Sequence, residues 1–362
     1  MLKIALLCNG YGRVNRGAEQ FTYQFYKHLR NNFDIDIYGI GETDHSIRIP
    51  SKFRDEFRLP WNHGRAYLES YYFGRAWYKR LIKEKRPEYD LLFNNAGFGC
   101  SYWCHIYRKK TGTPFITRAR GGGNKEEKIN LLFKPNYMIF LTKDNEIQSK
   151  RFMPKTKTIV IPNAIDVEEY NKKQKTSFLT EGLEKPVYLG TSAFIKRKRN
   201  DLIIKAVSLL KVGSLLLVGD GPLKDKTVKL GKKLLGSRFR YGGVIPFSDR
   251  DEVITLYHSA DVFVQAANKE AFGNVFLEAL ASNTPVVTQD DARRKEIISD
   301  AGLLVNCTNI KQFAIALEQA AIFDWEYKPL EQAQRYSWQK IKKQYVDLIG
   351  EMENEKYHRK YI

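Results

Sequence analysis

Two carboxylates, Glu270 and Glu278, are separated by seven residues in the stretch NKEAFGNVFLEALASNTPVV (268–287), with Phe272-Gly273-Asn274 between them. The first follows the strand-like run DVFVQAA (261–267), and the second falls inside a helix expected to begin around Phe272 to Val275. A helix start offers unpaired amides and a partial positive charge, which suit phosphate oxygens. An acid just before that start can accept hydrogen bonds from hydroxyls attached to the phosphate. An acid about two turns further on can reach a ribose diol on the other side. A ligand with a phosphate centre and hydroxyl-rich ends meets both demands, and a nucleotide sugar is such a ligand.

Two further signals concern phosphate. In TSAFIKRKRNDLIIKAV (191–207), Lys196, Arg197, Lys198 and Arg199 lie between a strand end and a helix whose expected cap is Asn200 or Asp201. Lysine and arginine there can neutralise a diphosphate leaving group as a point charge or a fork, although a solvated charge run also reads this way. In CNGYGRVNRGAEQF the glycines at 10, 12 and 17 follow a strand and lead into a helix near Ala18. The pattern departs from G-x-G-x-x-G at Asn15, and Glu42 or Asp44 is the acid available to a dinucleotide ribose. Dinucleotide binding, plain turn glycines and contact with another phosphate ligand all remain open for this turn.

The elements that must position these groups alternate between strand and helix, which argues for parallel sheets covered on both faces. The first half holds apolar runs at 4–8, 35–40, 89–95, 114–119, 137–142 and 157–163; the second holds runs at 186–191, 214–220, 239–244, 261–267, 285–290 and 302–306. Two doubly wound, Rossmann-like α/β domains facing a cleft follow, spanning 1–165 and 166–336, with a polar connection near 165–180. In the remaining segment, 337–362, Trp338, Ile341, Tyr345 and Leu348 recur at helical spacing. It reads as an amphipathic helix that packs back on the N-terminal domain.

A length of 362 residues with 43% apolar content supports two cores of ordinary size. Sixty Lys and Arg against 41 Asp and Glu make phosphate-bearing molecules, anionic lipid and nucleic acid natural partners. Stretches such as KRKR lack the ordered aromatic platform of a nucleic-acid binder, which argues against that class. The four cysteines are too scattered for a disulfide framework and read as buried thiols. The start reads as a buried strand rather than a signal peptide and no apolar run spans a bilayer, so the expected location is cytoplasmic, with any contact at the inner membrane face peripheral.

The spacing of Glu270 and Glu278 around Phe-Gly resembles the signature of the retaining GT-B glycosyltransferases, family four. RGAEQFTYQFYKHL is similar to that family's glycine-rich first turn, IPNAID to its interdomain segment, KRKRNDLIIKA to its lysine motif, and LLLVGDGPLKDK to its Val-Gly-Asp-Gly-Pro stretch. The resemblance implies a hexosyltransferase that uses a nucleotide-sugar donor, with GDP or UDP favoured and no metal or other cofactor required. It places the Gly17 backbone toward the donor phosphates, Lys198 and Arg197 on the diphosphate, and Glu278 on the ribose. It also places Glu270 and the Phe272, Gly273 and Asn274 backbone on the donor sugar, and the backbone near Val244 at the base.

Two departures matter. Ser192-Ala193 replaces the family's arginine, for which Arg197 or Arg199 can compensate. The catalytic-loop histidine is absent from FITRARGGGNK, where Arg118 or Arg120 stands; Arg120, before Gly121-Gly122-Gly123, is the candidate catalytic residue beside Glu270 and Lys198. The mechanism implied is a front-side displacement in which the departing phosphate helps deprotonate the acceptor hydroxyl. Asp249-Arg-Asp251 and Asp34-Ile-Asp36 read as a helix cap and a strand face rather than metal sites.

The acceptor is expected on the first domain and to be a glycan or lipid-linked hydroxyl in polysaccharide or glycoconjugate synthesis. The aromatic and basic stretch at 64–86 has the composition of a helix on an anionic membrane, and equally of a core helix with a solvated basic side. A nucleotide-sugar 2-epimerase of the same architecture and an NAD-dependent dehydrogenase are the rival readings.

Overall fold

The computed structural model describes residues 1–13, 17–43, 45–50, 63–84, 89–120, 125–151, 156–172, 176–246 and 249–360, with side chains omitted at 63–67, 125–126 and 355–360. Asn15, Asp44 and Gly121 to Gly123 lie outside the described residues. The chain forms two compact units, one comprising Met1–Asn163 with Ile341–Ile362 and the other Ala164–Lys340.

The strands of the first unit are β1 (Lys3–Leu7), β2 (Asp34–Gly39), β3 (His45–Ser46), β4 (Leu91–Asn94), β5 (Phe115–Arg118), β6 (Tyr137–Phe140) and β7 (Thr158–Val160). They form one parallel sheet in the order β3-β2-β1-β4-β5-β6-β7. The helices are α1 (Gly17–Leu29), α2 (His63–Lys83), α3 (Phe98–Thr111), α4 (Lys125–Leu132) and α5 (Lys143–Lys150). All four residues of β4 are buried, as a parallel strand with helices on both faces requires. Six strands coincide with the apolar runs; β3, only two residues long, was not expected.

The second unit contains α6 (Val167–Tyr170), β8 (Val187–Thr191), α7 (Asn200–Ser208), β9 (Ser214–Val218), α8 (Lys224–Leu235) and β10 (Phe239–Tyr241). It continues through α9 (Arg250–His258), β11 (Val262–Gln265), α10 (Asn274–Ala281), β12 (Val286–Gln289), α11 (Ala292–Ile298), β13 (Gly302–Val305), α12 (Ile310–Ile322) and α13 (Lys328–Gln334). Its parallel sheet has the order β10-β9-β8-β11-β12-β13, and its core joins Tyr188, Ile204, Leu217, Val264 and Leu317.

The last helix, α14 (Trp338–Lys360), buries Ile341, Tyr345, Leu348 and Ile349. The Tyr345 ring stands edge-on to Phe25 at 5.2 Å and lies 5.9 Å from Phe21, so the helical spacing in the sequence meets α1 and β4 of the first unit. In α2, Phe73, Trp77 and Leu81 are buried at i, i+4 and i+8, so that face belongs to the core while Arg75 and Lys79 stay exposed. Arg65, Lys85 and Arg86 of the same basic stretch have no described side chains. Among the described residues, no helix is long and apolar enough to cross a membrane.

Candidate functional site

An open parallel sheet places ligands beyond the carboxyl ends of its strands where the strand order reverses. In the second unit that point lies between β8 and β11. The loops leaving those two strands carry Lys198 and Glu270, and the structure brings them together: Lys198 Nζ lies 2.5 Å from a Glu270 carboxylate oxygen, both side chains largely buried.

Three arginines hold the β11 loop, and of these the sequence reading singled out only Arg199. Arg199 donates to the carbonyl of Ala266 at 2.6 Å and to Gln289 at 3.0 Å. Arg294, buried and bound to the Asp291 carboxylate, donates to the carbonyl of Ala267 at 2.8 Å, and Arg293 donates to that of Glu270 at 3.1 Å. The Asn268 amide donates to the Arg197 carbonyl at 2.9 Å, tying the two loops together.

Arg199 also corrects the expected helix cap. It occupies the position before α7 with φ of 51°, and Asn200 instead accepts from the Ser192 hydroxyl at 3.0 Å. With its guanidinium held by Ala266 and Gln289, Arg199 is a brace of the loop, which leaves the exposed Arg197 to meet a ligand.

The helix α10 begins at Asn274, as the sequence predicts, because Gly273 has φ of 90° and a Cβ there would lie 2.5 Å from the Phe276 ring. Phe272 is buried with its ring edge-on to Tyr336 at 5.9 Å, so only its backbone is available at the rim. Val244 follows β10 and is exposed, and the neighbouring Gly243 carbonyl accepts from the Gly219 amide at 2.7 Å.

Glu278 is half-buried on α10 and accepts from the Tyr257 hydroxyl at 2.6 Å, which in turn accepts from Thr191 at 2.9 Å. Arg250 stacks over the Tyr170 ring at 4.6 Å and binds Glu169, and its charge reaches Glu278. Burial raises the Glu278 carboxyl above its ordinary range, against the opposing pull of Tyr257 and Arg250. Sequence spacing gave no sign of these partners, which sit on α6 and α9.

A carboxyl raised in the folded state takes up protons on folding, so its ionisation destabilises the fold as pH rises through the folded value. Glu278→Gln is therefore expected to melt above the wild type near neutral pH, with the advantage vanishing below the ordinary value of 4.5. Thermal denaturation of both proteins from about pH 4 to about pH 8 checks this; a pH-independent difference would refute it.

In the first unit the strand order reverses between β1 and β4. Gly17, exposed, is the first residue of α1, and the Asn95 amide holds that end through the Ala18 carbonyl at 2.8 Å. Gly12 has φ of 77°, and a Cβ there would lie 2.6 Å from the Glu42 carbonyl, so this glycine serves a crossing of two loops. The fully buried Glu69, unforeseen in the sequence, accepts from Asn9 at 2.9 Å and Arg13 at 2.7 Å.

The two loop arginines part company. Arg118 is buried with its guanidinium 3.7 Å from the centre of the Phe21 ring and donates to Asn163, so it belongs to the core. Arg120 is half-buried at the end of β5, close enough for its charge to favour the ionised Cys8 thiol, which burial nevertheless pushes up to about 12. Three of the four D-x-D acids are engaged structurally: Asp249 caps α9, Asp34 pairs with Lys3, and Asp36 accepts from Tyr89 at 2.5 Å.

Two parallel-sheet Rossmann-like units are the architecture of the GT-B fold. Residues 171–336 match the family described as Glycosyl transferases group 1. The chain is 34% identical over 137 residues to the lipopolysaccharide core biosynthesis glycosyltransferase LpsE of Rhizobium meliloti, covering 37% of this chain and 39% of that one. It therefore spans about two fifths of that relative's length. Sucrose-phosphate synthase of Thermosynechococcus elongatus superposes with a TM-score of 0.77 at 18% identity, covering 99% of this chain and 100% of that chain. Anabaena HepE, solved with UDP-glucose, gives 0.72 at 16%, covering 97% and 100%. At these identities the superpositions speak for the fold.

Proposed function

We propose that the protein is a retaining glycosyltransferase that moves a hexose from a nucleoside-diphosphate sugar, GDP- or UDP-linked, to a glycan or lipid-linked hydroxyl. The observation that carries this reading is the Lys198–Glu270 pair at 2.5 Å, at the strand-order switch beside the start of α10. The pair is poised for exchange: an arriving diphosphate takes the ammonium, and the freed carboxylate accepts hydroxyls of the attached sugar.

Glu278 receives the ribose, the backbone of Phe272, Gly273 and Asn274 the sugar, and the backbone at Val244 the base. Arg197 and the Gly17 backbone assist the phosphates, and Arg120 stands where the family has its loop histidine. In the transfer, the bond from the anomeric carbon to the phosphate oxygen breaks, the acceptor oxygen bonds to that carbon on the same face, and the acceptor proton passes to the departing phosphate. The protein supplies charge stabilisation and positioning, with no cofactor required. LpsE, by its description, acts in lipopolysaccharide core synthesis, and HepE was solved with UDP-glucose; both names support this substrate class. Synthesis of a surface polysaccharide or glycoconjugate in the cytoplasm, at the inner face of the membrane, fits it.

Thermal-shift measurements with UDP, GDP, ADP and TDP test the reading. A ligand at about 100 times its dissociation constant adds about 2.7 kcal/mol, raising the melting temperature of the donor unit by roughly 5 to 10 °C. UDP or GDP is expected to produce this shift, and failure of all four nucleotides would overturn the proposal. Incubation with donor sugar alone, yielding an epimerised sugar, would replace it with the epimerase reading.

A further inference from the structure

We propose that the groove between α7 and α8 of the second unit binds a single anionic phospholipid. The groove encloses about 1150 Å³, more than the roughly 300–1,000 Å³ typical of small-molecule pockets. Eight cationic side chains line it against one acid, Asp201, whose carboxylate is paired with Lys205 at 3.3 Å. Arg199 is held by Ala266 and Gln289. Lys196, Arg197, Lys226, Lys229, Lys233 and Lys269 are all exposed, with no ion pair among the described residues.

The three α8 lysines that line the groove, Lys226, Lys229 and Lys233, fall at i, i+3 and i+7, so they share one face of the helix. Ile195, Leu202, Leu223 and Leu230 supply apolar wall between the cations, together with the stems of the lysines themselves. An inorganic anion would satisfy the charges and leave that wall in water. A molecule with an anionic head and an apolar body covers both.

Lining chemistry separates this occupant from other polyanions. A single-stranded nucleic acid needs aromatic faces on which bases stack, and no residue lining the groove is aromatic. An acidic peptide is best held by guanidinium forks, and Arg197 is the one lining arginine not already held. Lysines, compact point charges on flexible stems, can bind a phosphodiester head without a fixed fork geometry.

The proposal goes beyond the transfer reading: the groove shares Arg197 and the loop around it with the donor site, whereas Lys226, Lys229 and Lys233 on α8 have no part in that site. The test uses the full chain and dihexanoylphosphatidylglycerol below its micellar concentration, titrated by calorimetry, with dihexanoylphosphatidylcholine, inorganic phosphate and an acidic peptide as comparison arms. Binding of the phosphatidylglycerol is expected, weakened at least about tenfold in Lys226→Gln/Lys229→Gln/Lys233→Gln, with the other three much weaker at the same concentrations. Because the three side chains are exposed, the variant is expected to keep the wild-type melting temperature and UDP or GDP affinity. Absent phosphatidylglycerol binding, or binding undiminished in the variant, would overturn the proposal. Equal binding of phosphatidylcholine or phosphate would reduce the groove to an apolar or a plain anion site, and tighter binding of the peptide would assign it to a protein partner.

Discussion

Lys198→Ala is expected to lower turnover by about a hundredfold, while the donor Michaelis constant changes by less than roughly threefold. Before the donor arrives, Lys198 is matched by Glu270 at 2.5 Å, so the ground state already has a partner for its charge. In the transition state the leaving diphosphate gains negative charge, and an ammonium fixed in a partly dehydrated rim stabilises that gain more than it stabilises the bound donor. Losing one hydrogen bond to a charged group accounts for about 1.5 to 3 kcal/mol, which is roughly ten- to a hundredfold in rate. The upper end is expected because removal of the lysine also leaves the Glu270 carboxylate without its cation, and its repulsion grows as charge builds on the departing phosphate. Glu270→Gln in the same chain should recover part of the loss, since the repulsion goes with the charge. Steady-state kinetics of the two single variants and the double variant decide the point. A rise in the Michaelis constant with unchanged turnover would move Lys198 from the chemical step to ground-state binding.

How far that pair was legible in the sequence depends on which contacts are local. Glu270 and Asn274 are placed by a strand run and a helix start only a few residues apart, so alternating apolar patterns located both. The Lys198 segment was legible for the same reason: it leaves β8 as Glu270 leaves β11, and parallel neighbours bring their ends together. The cap of α7 was misread because the residue types at 200 and 201 favour capping, whereas the structure places Arg199 in a left-handed conformation fixed by a carbonyl 67 residues away.

The surroundings of Glu278 were beyond pattern reading, since Tyr257 and Arg250 reach it from another helix and no spacing rule predicts such contacts. The pair Arg293-Arg294, just after β12, did carry a signal: two arginines at another strand end on the same rim, one of them buried. Arg118 and Arg120 both flank a strand end, and the sequence favoured Arg120 only through the three glycines that follow it. The stacking of Arg118 on Phe21, nearly 100 positions earlier, separates their roles.

Gly219→Ala is expected to destabilise the second unit by about 3 kcal/mol or more and to abolish nucleotide binding with it. The glycine follows β9 in LLLVGDGPLKDK with φ of 132°, and a Cβ would lie 2.0 Å from the carbonyl oxygen of Ser192. Backbone is the obstacle, so no side-chain rotation relieves the clash. Ser192 is held from the other direction by its amide, which donates to Val218 at 3.0 Å, while the Phe194 amide donates to the Asp220 carbonyl at 2.8 Å. The loops after β8 and β9 are thus stitched together through main chain, and displacing one moves the segment that carries Lys198. Gly236→Ala isolates the conformational part of the cost, because that glycine has φ of 56° with nothing within 4 Å of the added carbon. Its expected penalty is about 1 to 2 kcal/mol, with nucleotide binding retained. Urea denaturation of both variants separates the two contributions. If they lose equal stability, close approach of the loops is not what this position requires glycine for, and the motif's first glycine answers to φ alone.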